Sequence, residues 1–576
     1  MNCREMALSE DYVDILLDYQ ITREVFGEME VELCSVPAGQ GMYVVYVNRN
    51  VPVGGSGSLY VIPQCFGLMA EGSGGGRSFD TFALTDTGIR QTQLPPLSLT
   101  GRGVVIGFLD TGIRYEEEVF RYSDGTTRIM SIWDQTIQEG EPPEGQIFGT
   151  EYKREEINAA LASENPRQLV PTTDTIGHGT ALASVAAGSN LLRNRQTGSI
   201  AGGTAGDGME FLGAAPDAEI VVVKLREAKE YLRDFRLIPE GAHTYSESDI
   251  LLALKYLDSF AINLRRPLVV CFGLGTNQGS HTGKSILSRY MQNMLESRSR
   301  SIVVCGGNEG NSAGHFEGNT CVRRGEPYED VEIRVAENTT GFVAELWGRI
   351  PQSYTVSVIS PSGEAFPSGM GTLGQNFRHR FLYEKSTVNV IYNLVEEGSG
   401  EERILIRFEQ PAAGIWTIRV FGVGECTNDN FHIWLPIRNF RTEGTYFLKP
   451  TPYTTLTIPG YAEEIITVSS YNDENHSFWP ESGRGFGKNG EISPGISAPG
   501  VDIPTINGRM SGSSMAAALT AGAAAQFLQW AVVERNEEFV FGRDVRNYLI
   551  RGAVREENLS YPNREWGDNG IIVSSE

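Results

Sequence analysis

The chain has 576 residues, 72 acidic against 48 basic side chains, a net charge of −24, and 40% hydrophobic residues. That composition describes a globular chain of roughly three or four domains, not a disordered one. An acid excess repels polyanions, so neither nucleic acid nor an anionic membrane surface is an expected partner.

The start, Met1–Asp11, lacks a basic region followed by an apolar run, so no secretory signal is expected and synthesis in the cytoplasm follows. Seven cysteines (3, 34, 65, 271, 305, 321 and 426) are odd in number, scattered and without a Cys-x-x-Cys pair. They fit a reducing compartment better than a disulfide framework, and neither metal nor cofactor is expected.

In chain order, residues 1–92 hold a helix-like segment at Asp11–Leu17, then apolar runs such as Gly41–Val47. The Gly/Ser-rich stretch Glu71–Ser78 reads as a flexible loop, and Gln93-Leu94-Pro95-Pro96-Leu97 as a boundary. Over 93–316, apolar runs (Val104–Leu109, Glu219–Leu225, Leu268–Phe272, Ser301–Cys305) alternate with helical patterns (Ala181–Ala187, Ile250–Leu257). Continuous apolar strands separated by helices predict an α/β fold, a parallel sheet covered on both faces.

The period changes over 317–455. Alternating runs such as Tyr354–Ile359 and Trp416–Val420, separated by turns like Ser360-Pro361-Ser362-Gly363, predict an inserted antiparallel β-sandwich. The α/β pattern resumes over 456–576 with a strand at Glu464–Ser469. The long apolar stretch Ala516–Val533 contains Thr520, Gln526 and Gln529, so a buried central helix is expected there and no membrane span. Gly485-Phe486-Gly487-Lys488-Asn489-Gly490 spells G-x-G-x-x-G, yet no strand precedes it and no helix follows, so it reads as a turn.

Three segments carry chemistry. Val104–Gly112 sets Asp110 at the end of an apolar run; Gly177-His178-Gly179-Thr180 sets an imidazole at a helix start; Ser511–Ala517 sets the Ser514 hydroxyl at another. A serine hydroxyl is a weak nucleophile until a base takes its proton. Histidine supplies that base near neutral pH, and a buried carboxylate on its other nitrogen fixes the tautomer. Each motif alone is a common structural signal; the three together, in this order on these elements, point to one constellation.

The order Asp, His, Ser is that of subtilisin, and the residues resemble the subtilisin-like (S8) serine protease family over roughly 104–314 and 456–535. Cys305-Gly306-Gly307-Asn308-Glu309-Gly310 resembles the element whose asparagine donates to the oxyanion, which implies that role for Asn308. Gly273-Leu274-Gly275 resembles the strand that pairs with extended substrate, and with Gly306 and Gly307 it is expected to wall a roomy first specificity pocket. Gly213–Pro216 and Ile496–Gly500 look like further landmarks. Two positions depart from the family pattern: Ser513 replaces threonine and Ala518 replaces proline, and neither removes a reactive group.

The Gly275–Gly279 run, the short N-terminal unit and the β-insert together resemble the Csp-type subtilases of clostridial spore formers. That resemblance implies an N-terminal prodomain that chaperones folding and can stay bound after self-cleavage, a jelly-roll insert, and limited proteolysis of a spore cortex-lytic zymogen. The Gln91–Leu97 segment, read as extended, is the expected cleavage boundary. Two other readings stay open: a pseudoprotease acting as sensor or scaffold, against which the intact Asp110, His178, Asn308 and Ser514 argue, and a general degradative peptidase using the insert as a binding module.

Overall fold

The structure is a computed structural model that describes residues 1–18, 32–50, 61–73, 81–194, 200–201, 208–320, 328–366, 376–423 and 430–568. Residues 74–78 of the Gly/Ser-rich stretch, together with Cys321 and Cys426, lie outside them.

A nine-stranded sheet forms the centre. Its order is Ser477–Phe478, Ile466–Asn472, Arg300–Cys305, Leu268–Phe272, Val105–Asp110, Glu219–Lys224, Ile129–Asp134 and Thr150–Lys153, with Ile496–Pro499 also paired to Ile466–Asn472. The interior pairs are parallel, and the two outermost pairings, Thr150–Lys153 and Ser477–Phe478, are antiparallel. Every residue of Val105–Asp110 is buried, as a strand covered on both faces requires. Alternate side chains serve two cores. Ile106, Phe108, Val222 and Val269 pack with the helices His178–Ala187, Ser513–Leu528 and Gly542–Gly552. Val105, Val221 and Val270 pack with Glu247–Leu264 and Ile286–Leu295.

The chain leaves Val105–Asp110 toward both edges, so the strand order reverses there. In open α/β sheets the working crevice lies at the carboxyl end of such a strand, and Asp110 is its last residue.

All sixteen residues of the Ser513–Leu528 helix are buried. Its polar groups, and those just beyond it, find partners inside the protein. Gln526 donates to Ala214 O (2.9 Å), and Gln529 Oε1 accepts from the N–H groups of Thr100, Gly101 and Arg102. By length and hydropathy alone its continuation Ser513–Val533 could cross a membrane; being mostly buried, it is the core helix.

Residues 315–447 contain two antiparallel sheets, one of six strands and one of five. They share one core, in which Phe342, Leu346, Phe408 and Ile433 of the first face Val331, Val356, Trp416 and Ile418 of the second. This is the sandwich the alternation predicts. Gly485–Gly490 is a turn, closed by Gly487 N–H to Glu491 O at 2.9 Å.

The N-terminal unit differs from expectation in three ways. Tyr12–Leu17 is a strand, not a helix: it pairs antiparallel with Met42–Asn48, which also pairs with Leu33–Gly39. The strand is buried on both faces and so lacks a clean period, which left its type ambiguous. Cys3 and Cys34 form a disulfide with Cα atoms 5.4 Å apart. The Cys3–Leu8 helix lies against the Leu33–Gly39 strand, a proximity that a spacing of 31 residues does not advertise. Gln91–Leu97 is not extended throughout: Ile89–Gln93 is a short helix. Gln93 Nε2 donates to Gly213 O and Ala214 O at 3.0 and 2.9 Å. Those carbonyls adjoin Val185 and Ala186, at the opposite end of the helix from His178.

Candidate active site

Asp110 ends its strand and Gly112 turns the chain away at φ +113°, a conformation that glycine adopts without strain. Asp110 Oδ1 accepts from Thr111 N–H at 2.7 Å. The His178–Ala187 helix starts directly against this turn, and a Cβ on Gly179 would stand 2.3 Å from Gly112 O. Asp174 fixes that helix start. Its carboxylate accepts from Gly177 N–H (2.7 Å), Thr180 N–H (2.9 Å) and the Thr180 hydroxyl (2.7 Å). An anion there also suits the positive end of the helix.

These elements bring the three predicted residues together. His178 Nδ1 lies 2.8 and 2.9 Å from the two Asp110 oxygens, and Nε2 lies 3.2 Å from Ser514 Oγ. The carboxylate makes Nδ1 the protonated nitrogen and leaves Nε2 as the acceptor. His178 is 2% exposed and Asp110 fully buried. Burial pushes the His178 pKa down, but the charge and hydrogen bond of Asp110, helped by Asp174, outweigh it and hold it above 6.5. Ser514 Oγ also lies 2.8 Å from Gly273 O, a second acceptor for its hydroxyl. Gly273 leaves room for the imidazole, since a Cβ there would stand 3.1 Å from His178 Cε1.

Asn308 follows the Arg300–Cys305 strand. Its Oδ1 accepts from Ser513 N–H at 3.0 Å and from the Ser513 hydroxyl at 2.9 Å, and that hydroxyl accepts from Gly307 N–H at 2.9 Å. Serine in place of threonine therefore keeps the clasp that orients the amide. With Oδ1 committed, Nδ2 is the end left for the cleft, which Asn308 lines together with Met69.

The cleft holds a piece of the same chain. Cys65–Leu68 pairs antiparallel on one side with Tyr245–Ser246 and on the other with Leu274–Gly275, in register Leu68↔Leu274 and Gly67↔Gly275. Met69 N–H donates to Gly273 O (3.3 Å), and Met69 O accepts from Ser514 N–H (3.2 Å). Beyond it, Glu71–Gly72 pairs with Met510–Ser511. Gly512 makes this approach possible: a Cβ there would stand 2.2 Å from Met69 O. Just upstream, Glu247 Oε2 accepts from Gln64 N–H and Oε1 from Leu287 N–H (3.0 and 3.1 Å). Burial pushes the Glu247 carboxyl up to about 7.

Gly275 and Gly307 both face Thr457, at 2.3 and 2.5 Å from a built Cβ, and the Met69 methyl lies 3.1 Å from that of Gly275. Thr457 therefore narrows the pocket that the glycines alone suggested was roomy. A Cβ on Gly306 would stand 2.8 Å from Val468 O. Sequence reasoning missed Asp174, Tyr245–Ser246, Glu247 and Thr457, which carry no local motif. Among the described residues no group of three or more His, Cys, Asp or Glu could hold a metal ion.

Comparison with known proteins gives a consistent picture. The model of the subtilase family, Peptidase_S8, matches residues 101–340 and 439–568. The solved structure of the CspB protease of Clostridium perfringens superposes with a TM-score of 0.72 at 29% identity, covering 85% of this chain and 97% of that one. Two subtilisin-like proteases of Arabidopsis thaliana, SBT3.5 and SBT1.9, are 29% identical over 226 residues (37% of this chain) and 33% over 168 (27%). The chain spans about a quarter of those plant relatives, 26% and 21% of their lengths. With its family model matched over more than half its length, the chain belongs to the subtilase family and resembles the Csp type within it.

Proposed function

We propose that this protein is a serine endopeptidase whose first substrate is its own Met69–Ala70 bond. One observation carries the reading: the Met69 carbonyl accepts the backbone N–H of Ser514 while the residues before it are paired on both sides of the cleft. Ser514 Oγ attacks that carbonyl as His178 Nε2 takes its proton, and Asp110 stabilises the imidazolium. The developing oxyanion is held by Ser514 N–H and by Asn308 Nδ2. His178 then protonates the Ala70 amine as it leaves, and water releases Met69 from the acyl-enzyme.

This moves the proposed boundary from Gln91–Leu97 to Met69–Ala70. Residues 1–69 become the prodomain, and the helices Phe82–Asp86 and Ile89–Gln93 stay in the core beneath Ser514. The 29% identity with the CspB protease over nearly all of that chain supports a Csp-type role, in which the mature enzyme is made in the cytoplasm, resides in the spore and activates a cortex-lytic zymogen.

Intact mass of the chain beside its Ser514→Ala variant tests the reading. Wild type should appear as two fragments divided after Met69, and the variant should stay whole. Wild type that stays whole, or that divides near residue 92, counts against it.

A further inference from the structure

Resting on the reading that Cys65–Met69 lies as substrate, we infer that this cleft selects glycine at the third residue upstream of the scissile bond. Ile437 and Phe440 enforce the choice.

Strand alternation sends the side chains of Met69 and Gly67 to one side and those of Leu68 and Phe66 to the other. On the Gly67 side the cleft is closed. A Cβ on Gly67 would stand 2.6 Å from Ile437 Cδ1 and 3.0 Å from Phe440 Cζ, well inside the roughly 3.5–4.0 Å of a comfortable carbon contact. The φ of Gly67 lies outside the left-handed region, so space, not backbone conformation, demands glycine.

Both neighbours meet Gly67 with the tips of their side chains, and it is their burial that resists displacement. Ile437 and Phe440 are each 1% exposed and belong to the same core as the Ser514 helix. The segment between them is tied down at three points. Arg438 N–H donates to Glu309 Oε1 (3.0 Å), the residue after Asn308; Arg438 Nη2 donates to Asn311 Oδ1 (2.7 Å); and Asn439 Nδ2 reaches Leu68 O (3.3 Å). The last contact spans the bound peptide itself.

This segment follows the sandwich strand Phe431–Trp434. The insert therefore delivers a lid over a cleft whose main-chain pairing alone would be indifferent to sequence. On the opposite side Phe66 is fully buried, edge-on to Phe272 with ring centroids 6.0 Å apart. The substrate class that fits is an extended protein segment with a large apolar residue, then glycine, then a further apolar residue, as Leu68 packs on the core beside Phe66, then an unbranched apolar residue before the cut.

The test follows self-division of the full chain over time by intact mass. Gly67→Ala should slow it about 10- to 100-fold, the range an overpacked apolar contact produces. Adding Ile437→Ala to that variant should restore most of the rate. A thermal melt of each variant on the Ser514→Ala background should leave the transition in place, and its loss in Gly67→Ala alone overturns the inference in favour of a folding defect. Wild-type speed in Gly67→Ala also overturns it while leaving the peptidase reading intact. A double variant as slow as the single one overturns the assignment to Ile437. Wild type that never divides removes the underlying reading instead.

Discussion

Among the described residues, the folded part of the N-terminal unit and its tail meet the rest of the molecule through contacts that are built differently. Its sheet and the Cys3–Leu8 helix dock on the helices Glu247–Leu264 and Ile286–Leu295 and on the Arg226–Lys229 segment through specific side chains. Asp14 pairs with Lys229 at 3.0 Å and accepts from the Ser248 hydroxyl at 2.7 Å; Arg226 donates to Ala7 O; Tyr290 donates to Ala38 O. Its tail, Cys65–Gly72, is held in the cleft mainly by main-chain pairing. Buried charges recognise one partner, whereas backbone ladders accept many. The dock suits a lasting association and the cleft suits turnover, with Gly67 as the point where the cleft also becomes selective.

Three changes separate the contacts. The largest effect falls on the dock. Asp14→Ala leaves the Lys229 ammonium, 6% exposed, without its carboxylate, a loss of about 3–5 kcal/mol for a broken buried pair. The fragment should then separate from the enzyme on gel filtration after cleavage, and a fragment that still co-elutes would erase the distinction. Next, Asn308→Ala should slow self-division about 10²–10³-fold, the range known for losing this donor in subtilisin. The fragment should co-elute as in wild type, since the dock is untouched. Smallest is the pH effect. Only neutral His178 can accept the Ser514 proton, and Asp110 raises its pKa. The rate should therefore fall on the acid side with a midpoint above 6.5, followed from about pH 5 to 9. Asp110→Asn should move that midpoint down, and an unmoved midpoint would detach the acid limb from His178.

The triad was legible because each member sits in a short glycine-flanked motif at an element's end, and the sandwich because period two survives where one face is buried. The cleft's second wall was not legible: Tyr245–Ser246 is two residues long and acquires meaning only through its partner Cys65–Phe66. The same holds for Asp174, which acts by capping a helix from four residues before His178. Tyr12–Leu17 misled because Asp14, buried with Lys229, breaks the apolar run without marking a surface face. Gly67 looked ordinary because the side chains that crowd it arrive about 370 residues later in the chain.

The tail in the cleft has a consequence for how the protein responds to dilution. On the proposed division at Met69, residues 1–69 would first meet their dock as a tethered ligand, at an effective concentration set by the connecting chain and independent of how much protein is present. That cut would turn a one-body equilibrium into a two-body one, and occupancy of the cleft would then depend on concentration. Crowded together the enzyme would remain plugged by its own product, and dispersal into a larger volume would open it, so volume itself becomes an activating signal.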